Sequence, residues 1–370
     1  MRNMRKVVAI LALAVLCVTA VSAAGNEIKI AVAGPMTGSF AEYGNGFKNA
    51  VQLMVDEWNA KGGVLGKKIK VVVYDDKNNG EEGANVAEKI VSDDDIIAVV
   101  GHFASGVCLV AGPKYQEAGV IEISPSASHP DYSNIGNYIF RNNTIISVEA
   151  SAAVDIAMKT LTAKKIGILS VKTDWGTSTA AITKNLIAEK GGKVYDHEEV
   201  LDGTVDFAPS ITKMQAAGVD CVIVAAMYNV LAPFATQYKA VNPNIKLVGF
   251  SNAYSEQLIA LAKENAEGIM FPAAFFDKST EPHIQKFVND YRAKYNATPS
   301  ALTAQAYDSA GIILEAIKAA GKADRKAVRD QLFKINYQGV TGPTSFDAKG
   351  NAIKVFTSVV IKNGDFVQYK

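Results

Sequence analysis

Cysteine is scarce in this 370-residue chain, which holds Cys17, Cys108 and Cys221 and no CxxC pair. Three cysteines cannot build a disulfide scaffold, and the two beyond the N-terminal segment lie far apart in sequence, so both are expected to be free and buried. Histidine is sparse too: His102, His129, His197 and His283 fall at no metal-ligand spacing, so no metal site is expected. Neither sign of charge is in excess, with 38 lysines and arginines against 37 aspartates and glutamates and no long run of either. Nucleic acid and anionic membrane surfaces are therefore not expected partners.

Catalytic signatures are also missing. Gly44-Asn45-Gly46 has Asn49 where a dinucleotide fingerprint needs its third glycine, and roughly ten loop residues separate it from the preceding strand. No Gly-Lys-Ser/Thr phosphate loop is present, and Ser105 is not in a GxSxG elbow because Phe103 occupies the first glycine position. Asp75 and Asp76 are neighbours on a strand and so point to opposite faces, which makes a catalytic dyad unexpected. The chain reads as a non-enzyme without a cofactor.

What the chain does have begins with its first residues. Arg2, Arg5 and Lys6 precede a twelve-residue apolar run at 7–18, followed by small residues up to Ala24. A membrane-spanning helix needs about 20 apolar residues, whereas this order of basic, apolar and small segments is that of a secretory signal peptide. Cleavage is expected after Ala23 or Ala24, and the bulky Leu16 ahead of Cys17 argues against lipoprotein processing. Losing three basic residues leaves 35 against 37 acidic ones, a mature charge near −2. The mature chain of roughly 345 residues exceeds what one core organises, which predicts two lobes.

Beyond the leader, short β-branched strands alternate with helical stretches. Strands are expected at 27–33, 68–74, 96–100 and 120–123, with helices at 43–59, 83–92 and 105–118. A second series follows residue 140, with strands at 165–170, 193–200, 221–225, 246–250 and 268–272 and helices near 176–190, 208–217, 230–241 and 255–264. The tail adds helices at 281–295, 301–320 and 325–333 and a last strand at 355–362. This alternation predicts an α/β protein of two lobes, each a parallel sheet flanked by helices. Open parallel sheets gather ligands at the carboxyl ends of their strands, which singles out the loops at 34–42, 101–105, 124–130 and 172–176.

Two of those loops are rich in hydroxyls. GHFASG, at 101–106, leads from a strand into a helix and puts Ser105 at the expected N-cap, where the first-turn N–H groups and the helix dipole favour an anion. SPSASHP, at 124–130, ends the adjacent strand and brings Ser126 and Ser128. A hydroxyl both donates and accepts, which suits a small carboxylate or a neighbouring ammonium; a plain polar turn is the competing reading. Tyr43, Trp175 and Tyr228 stand at other strand-end loops, placed to wall a small apolar solute.

The sequence resembles the periplasmic branched-chain amino-acid-binding protein family, which serves ATP-driven importers, across nearly all of the mature chain. The residues that carry the resemblance are GPMTG at 34–38 with Tyr43-Gly44, NAKGGVLGKKIKVVVYDD at 59–76, GHFASG, ISPSAS at 123–128, DWG at 174–176, AYDS at 306–309 and TGPTSFDAKG at 341–350. The resemblance implies a flytrap of two lobes joined by three crossovers, expected near 142–146, 274–277 and 345–347. Lobe 1 would then comprise 25–143 with 276–345, and lobe 2 would comprise 144–275 with 346–370. It further implies that Ser105 and Ser128 hold the solute carboxylate, with Ser128 also facing its ammonium, and that Ser126 offers its backbone carbonyl. Tyr43 and Trp175 match aromatic wall positions from opposite lobes, and the next wall position falls on Met227 or Tyr228, of which Tyr228 is taken.

The sequence departs from the family's amino-acid binders in one place. They carry an acid after the strand matching KLVGF to pair with the ammonium, and here Ser251-Asn252 follows that strand. A buried ammonium without a counter-charge is costly, so either Asp308 or, less favourably, Glu256 serves instead, or the solute has no ammonium; Asn252 is taken as a solute contact. The expected function is capture of a small carboxylate-bearing solute, a branched-chain or aromatic amino acid first, by a monomeric periplasmic protein for an ABC-type permease of the inner membrane. The alternative is a ligand-sensing receptor of the same shape for an aromatic acid or amide.

Overall fold

Runs of β-branched residues with no polar face place the central strands inside the molecule, covered on both sides. A computed structural model of the protein describes residues 27–369. The expected leader, with Cys17 and the cleavage point after Ala23 or Ala24, lies outside them. Strands β1 (Glu27–Gly34), β2 (Lys68–Asp75), β3 (Ile96–Val100), β4 (Ile121–Ser124) and β5 (Ile139–Arg141) pair in the order β2-β1-β3-β4-β5, all parallel. Val32 at the centre lies level with Val73 on one side and Val100 on the other.

Between these strands run α1 (Ala41–Ala60), α2 (Gly80–Val91) and α3 (Ser105–Ala118). Asn79 caps α2 by accepting from the N–H groups of Glu81 and Glu82, and Gly119 ends α3 in the left-handed conformation. Gly44 lies inside α1, where a Cβ would sit 2.1 Å from the Pro35 carbonyl oxygen. The GxG is therefore a close helix-to-loop contact.

After β5 the chain enters α4 (Ile146–Asp155), which has no counterpart among the sequence expectations, and builds the second lobe. Strands β6 (Ile166–Val171), β7 (Val194–Val200), β8 (Cys221–Ala225), β9 (Lys246–Val248) and β10 (Met270–Ala273) alternate with α5 (Asp174–Glu189), α6 (Ala208–Ala216), α7 (Tyr228–Val241) and α8 (Glu256–Ala262). The chain then returns through α9 (Pro282–Tyr295), α10 (Ala301–Ala320) and α11 (Arg325–Leu332). Helix α10 packs along α1 and is buried through most of its length.

A small antiparallel sheet follows, β11 (Tyr337–Gly339), β12 (Gly342–Phe346) and β13 (Ala352–Ile353). The last strands follow: β14 (Thr357–Ile361) pairs antiparallel with β10 and β15 (Phe366–Gln368) antiparallel with β14, giving the order β15-β14-β10-β9-β8-β6-β7. The switch expected at 345–347 falls too early. Residues 346–353 stay with the first lobe: β13 pairs with β12, Arg141 bridges Asn351, and Phe346 packs edge-on against Phe140 at 5.1 Å. The chain crosses afterwards, between β13 and β14.

Cys108 and Cys221 are free and buried, and burial pushes both thiols upward, Cys221 to about 12. Because the thiolate is the reactive form, neither should react with a water-soluble disulfide reagent in the folded protein, and both should react in denaturant. The check is absorbance titration with and without urea.

Candidate functional site

The carboxyl ends of β3 and β4 lie side by side, so the two hydroxyl-rich loops leave the sheet together. Their seam is tightly bonded. Ser124 Oγ donates to the His102 carbonyl at 2.9 Å, and Ser126 Oγ donates to the Phe103 carbonyl at 2.6 Å. Behind the seam, the His102 ring is wedged between Asp76 Oδ2 at 2.6 Å and the Tyr115 hydroxyl at 3.0 Å. Asp75 instead accepts from Met36 N and the Thr37 hydroxyl, so the two adjacent aspartates serve different loops.

Ser105 is the first residue of α3 and not its N-cap; that position belongs to Ala104, whose side chain makes no capping bond. The opening N–H groups of a helix lack intrahelical partners, so this end faces its surroundings uncapped. The hydroxyls of Ser105 and Ser128 stand beside it: Ser128 N donates to Ser105 Oγ at 3.4 Å, and both residues are almost fully buried.

This corner forms one wall of a cavity of about 350 Å³ between the lobes, a size that suits a small molecule. Of the sequence-selected residues, Ser105, Ser126, Ser128, Trp175 and Asn252 line it. Tyr43 and Tyr228 do not. Phe103 takes the aromatic position expected of Tyr43, which stacks behind it at 4.3 Å between centroids. Met227 takes the place expected of Tyr228, because the latter turns toward Glu42 and lies 5.9 Å from the Tyr43 ring. The Ser126 carbonyl already accepts from Asn143 Nδ2 at 2.9 Å, which leaves it one lone pair.

The lobes are closed over this space. Trp175 Nε1, from α5, donates to Ser128 Oγ across the cleft at 3.0 Å. In the opposite direction, the Tyr43 hydroxyl donates to the Asn252 carbonyl at 2.9 Å. A third bond joins Ser255 Oγ to Glu42 Oε1 at 2.6 Å. Since a hydroxyl has one proton and two lone pairs, Ser128 keeps its proton free to donate while accepting from Trp175. Gly176 seats the tryptophan, because a Cβ there would meet the Val171 carbonyl oxygen at 2.0 Å.

Neither acid considered from sequence reaches the cavity. The Asp308 carboxylate accepts from Val340 N at 2.9 Å and Thr341 N at 2.8 Å, beside Lys354, and so holds the β11–β12 turn. Glu256 is exposed at the start of α8 and lines a separate cavity with Glu42 and Asp277. The buried acid in the wall is Glu149, on the unanticipated α4. It is 3% exposed, and its Oε1 accepts from Ser251 N at 2.6 Å. Burial pushes its carboxyl up to about 7, against which the Ser251 N–H works. Its sequence signal was a single acid in the otherwise uncharged run ISVEASAAV at 146–154. Among the described residues no cluster of His, Cys, Asp and Glu could hold a metal ion.

Comparison with known proteins gives a consistent result. The family model described as periplasmic binding protein matches residues 27–365. The chain is 30% identical over 353 residues to a leucine-, isoleucine-, valine-, threonine- and alanine-binding protein of Pseudomonas aeruginosa, covering 94% of this chain and 91% of that one. A branched-chain amino-acid transporter substrate-binding protein of Streptococcus pneumoniae, solved with isoleucine, superposes with a TM-score of 0.85 at 31% identity, covering 93% of this chain and 100% of that one. A leucine-binding protein of Thermotoga maritima gives a TM-score of 0.86 at 26% identity, covering 93% and 98%.

The raised carboxyl of Glu149 carries a sign for stability. Below the ordinary value of 4.5 it is protonated both folded and unfolded; between there and about 7 only the folded protein keeps the proton. Stability of the solute-free protein therefore falls as pH rises through that window, and the loss is complete above it. Urea midpoints measured from pH 4.5 to 8 should show this slope in the wild type and a flatter profile in Glu149→Gln.

Proposed function

The chain belongs to the periplasmic binding protein family, and from that premise we propose that it captures an amino acid in the periplasm and delivers it to an ABC-type permease of the inner membrane. The observation that carries this reading is the interlobe cavity with Ser105, Ser128 and the uncapped start of α3 on one wall. That corner offers hydroxyl protons and helix N–H groups to a carboxylate. The names of the relatives, which are leucine-, isoleucine- or valine-binding proteins, support an amino acid as the owner of that carboxylate.

In this reading the protein acts as a monomer and not as an enzyme, and its leader is removed after Ala23 or Ala24. The moving units are residues 27–143 with 276–353, and 144–275 with 354–369. Solute contacts from both units favour the closed arrangement over the open one, which is how a ligand shifts such an equilibrium.

The test is a thermal-shift screen of refolded, solute-free protein against free amino acids, their deaminated acids and small amides, followed by calorimetry on serine variants. Ser105→Ala and Ser128→Ala should each weaken amino-acid binding by about 1.5–3 kcal/mol, the cost of losing a hydrogen bond to a charged group. Wild-type affinity in both variants would remove the carboxylate corner. A screen silent to all amino acids would remove the function.

A further inference from the structure

We propose that Glu149 is the counter-charge for the solute's ammonium group, taking from α4 the role that no residue after β9 can fill, and that the cleft thereby selects zwitterions over deaminated acids. The proposal rests on the reading of the cavity as an amino-acid site.

The two walls are chemically opposite. On the first lobe the polar lining is the hydroxyls of Ser105, Ser126 and Ser128, the amides of Asn78 and Asn143 and a helix N-terminus, with no acid among them. On the second lobe the charged lining is entirely acidic, Glu149 with Asp174 and Asp202. Glu149 is buried in the cavity wall with one carboxylate oxygen held by Ser251 N at 2.6 Å, and the adjacent Asn252 Oδ1 is buried with no donor from the described residues.

The neighbouring elements bring Glu149 no cation. Strand β10 and the Ser251–Ala253 turn carry no ionisable group. Asp174 of α5 and Asp202 after β7 line the same cavity and are exposed acids, and none of the described lining residues is lysine, arginine or histidine. The lysines near α4, Lys159 and Lys190, pair with Asp155 at its other end, at 3.1 and 2.6 Å. Burial with no neighbouring cation is what pushes this carboxyl up to about 7. An ammonium bound beside it would bring it back down, so solute capture at acid pH should expel a proton.

Calorimetric titration of L-leucine and its deaminated counterpart 4-methylpentanoate, at pH 6 and pH 8 in buffers of different ionisation enthalpy, tests this. The wild type should bind leucine with release of about one proton at pH 6 and close to none at pH 8. Its affinity for 4-methylpentanoate should be roughly a hundredfold weaker or worse, and Glu149→Gln should lose leucine affinity on the same scale and release no proton. A Glu149→Gln protein that binds leucine with wild-type affinity and proton release overturns the assignment, as does a wild type that binds 4-methylpentanoate as tightly as leucine. If the glutamine variant does not fold, the proton count of the wild type decides: no release at pH 6 on binding leucine overturns it. Failure of the function itself looks different, because the wild type would then bind no amino acid at either pH.

Discussion

Two backbone carbonyls, those of His102 and Phe103, carry the geometry of the cleft. Each accepts a hydroxyl from the neighbouring loop, Ser124 to the first and Ser126 to the second, and these bonds lock the ends of β3 and β4 to each other. Without that seam the N-terminus of α3 and the Ser128 hydroxyl would belong to two independent loops. With it they form one rigid corner, backed by the buried Asp76, His102 and Tyr115 chain. Asp76, His102 and Tyr115 satisfy one another behind the corner, while Ser105 and Ser128 line the cavity in front of it.

This arrangement explains why one loop carries so many small hydroxyls. Ser124 and Ser126 bind the loops together, Ser126 also lining the cavity, while Ser128 faces the cavity and meets Trp175 of the other lobe. The same residue type in one heptapeptide therefore holds the fold and lines the proposed binding site. Larger side chains at 124 and 126 would part the loops, and an apolar one at 128 would leave the indole N–H without its acceptor.

Much of this could be read from the residues. Alternating strand and helix patterns located both sheets because β-branched runs such as IIAVV at 96–100 and CVIVA at 221–225 have no polar face to leave ambiguous. The carboxyl-end rule then led to Ser105, Ser128 and Trp175. Two kinds of error have a clear physical cause. Helix α4 and strands β5, β11–β13 and β15 went unseen because ISVEASAAVD mixes small apolar and hydroxyl residues with little contrast, and the strands are two to five residues long. With α4 went Glu149. Two further errors are single-residue ones. Whether Met227 or Tyr228, or Ala104 or Ser105, occupies a junction depends on the backbone angle at which a strand turns into a helix, which residue identity does not encode.

The cross-lobe bonds also bear on what the closed molecule presents to the outside. Tyr43 reaches from the first lobe to Asn252, Trp175 reaches from the second lobe to Ser128, and Ser255 meets Glu42 at a third place. One point of contact between two rigid bodies leaves them free to swivel, and two leave them free to rock about the line that joins them. Three separated points, like the feet of a tripod, leave one pose. Closure here is therefore a docking into a single registered position, and the outer surface that spans both lobes has one shape when shut.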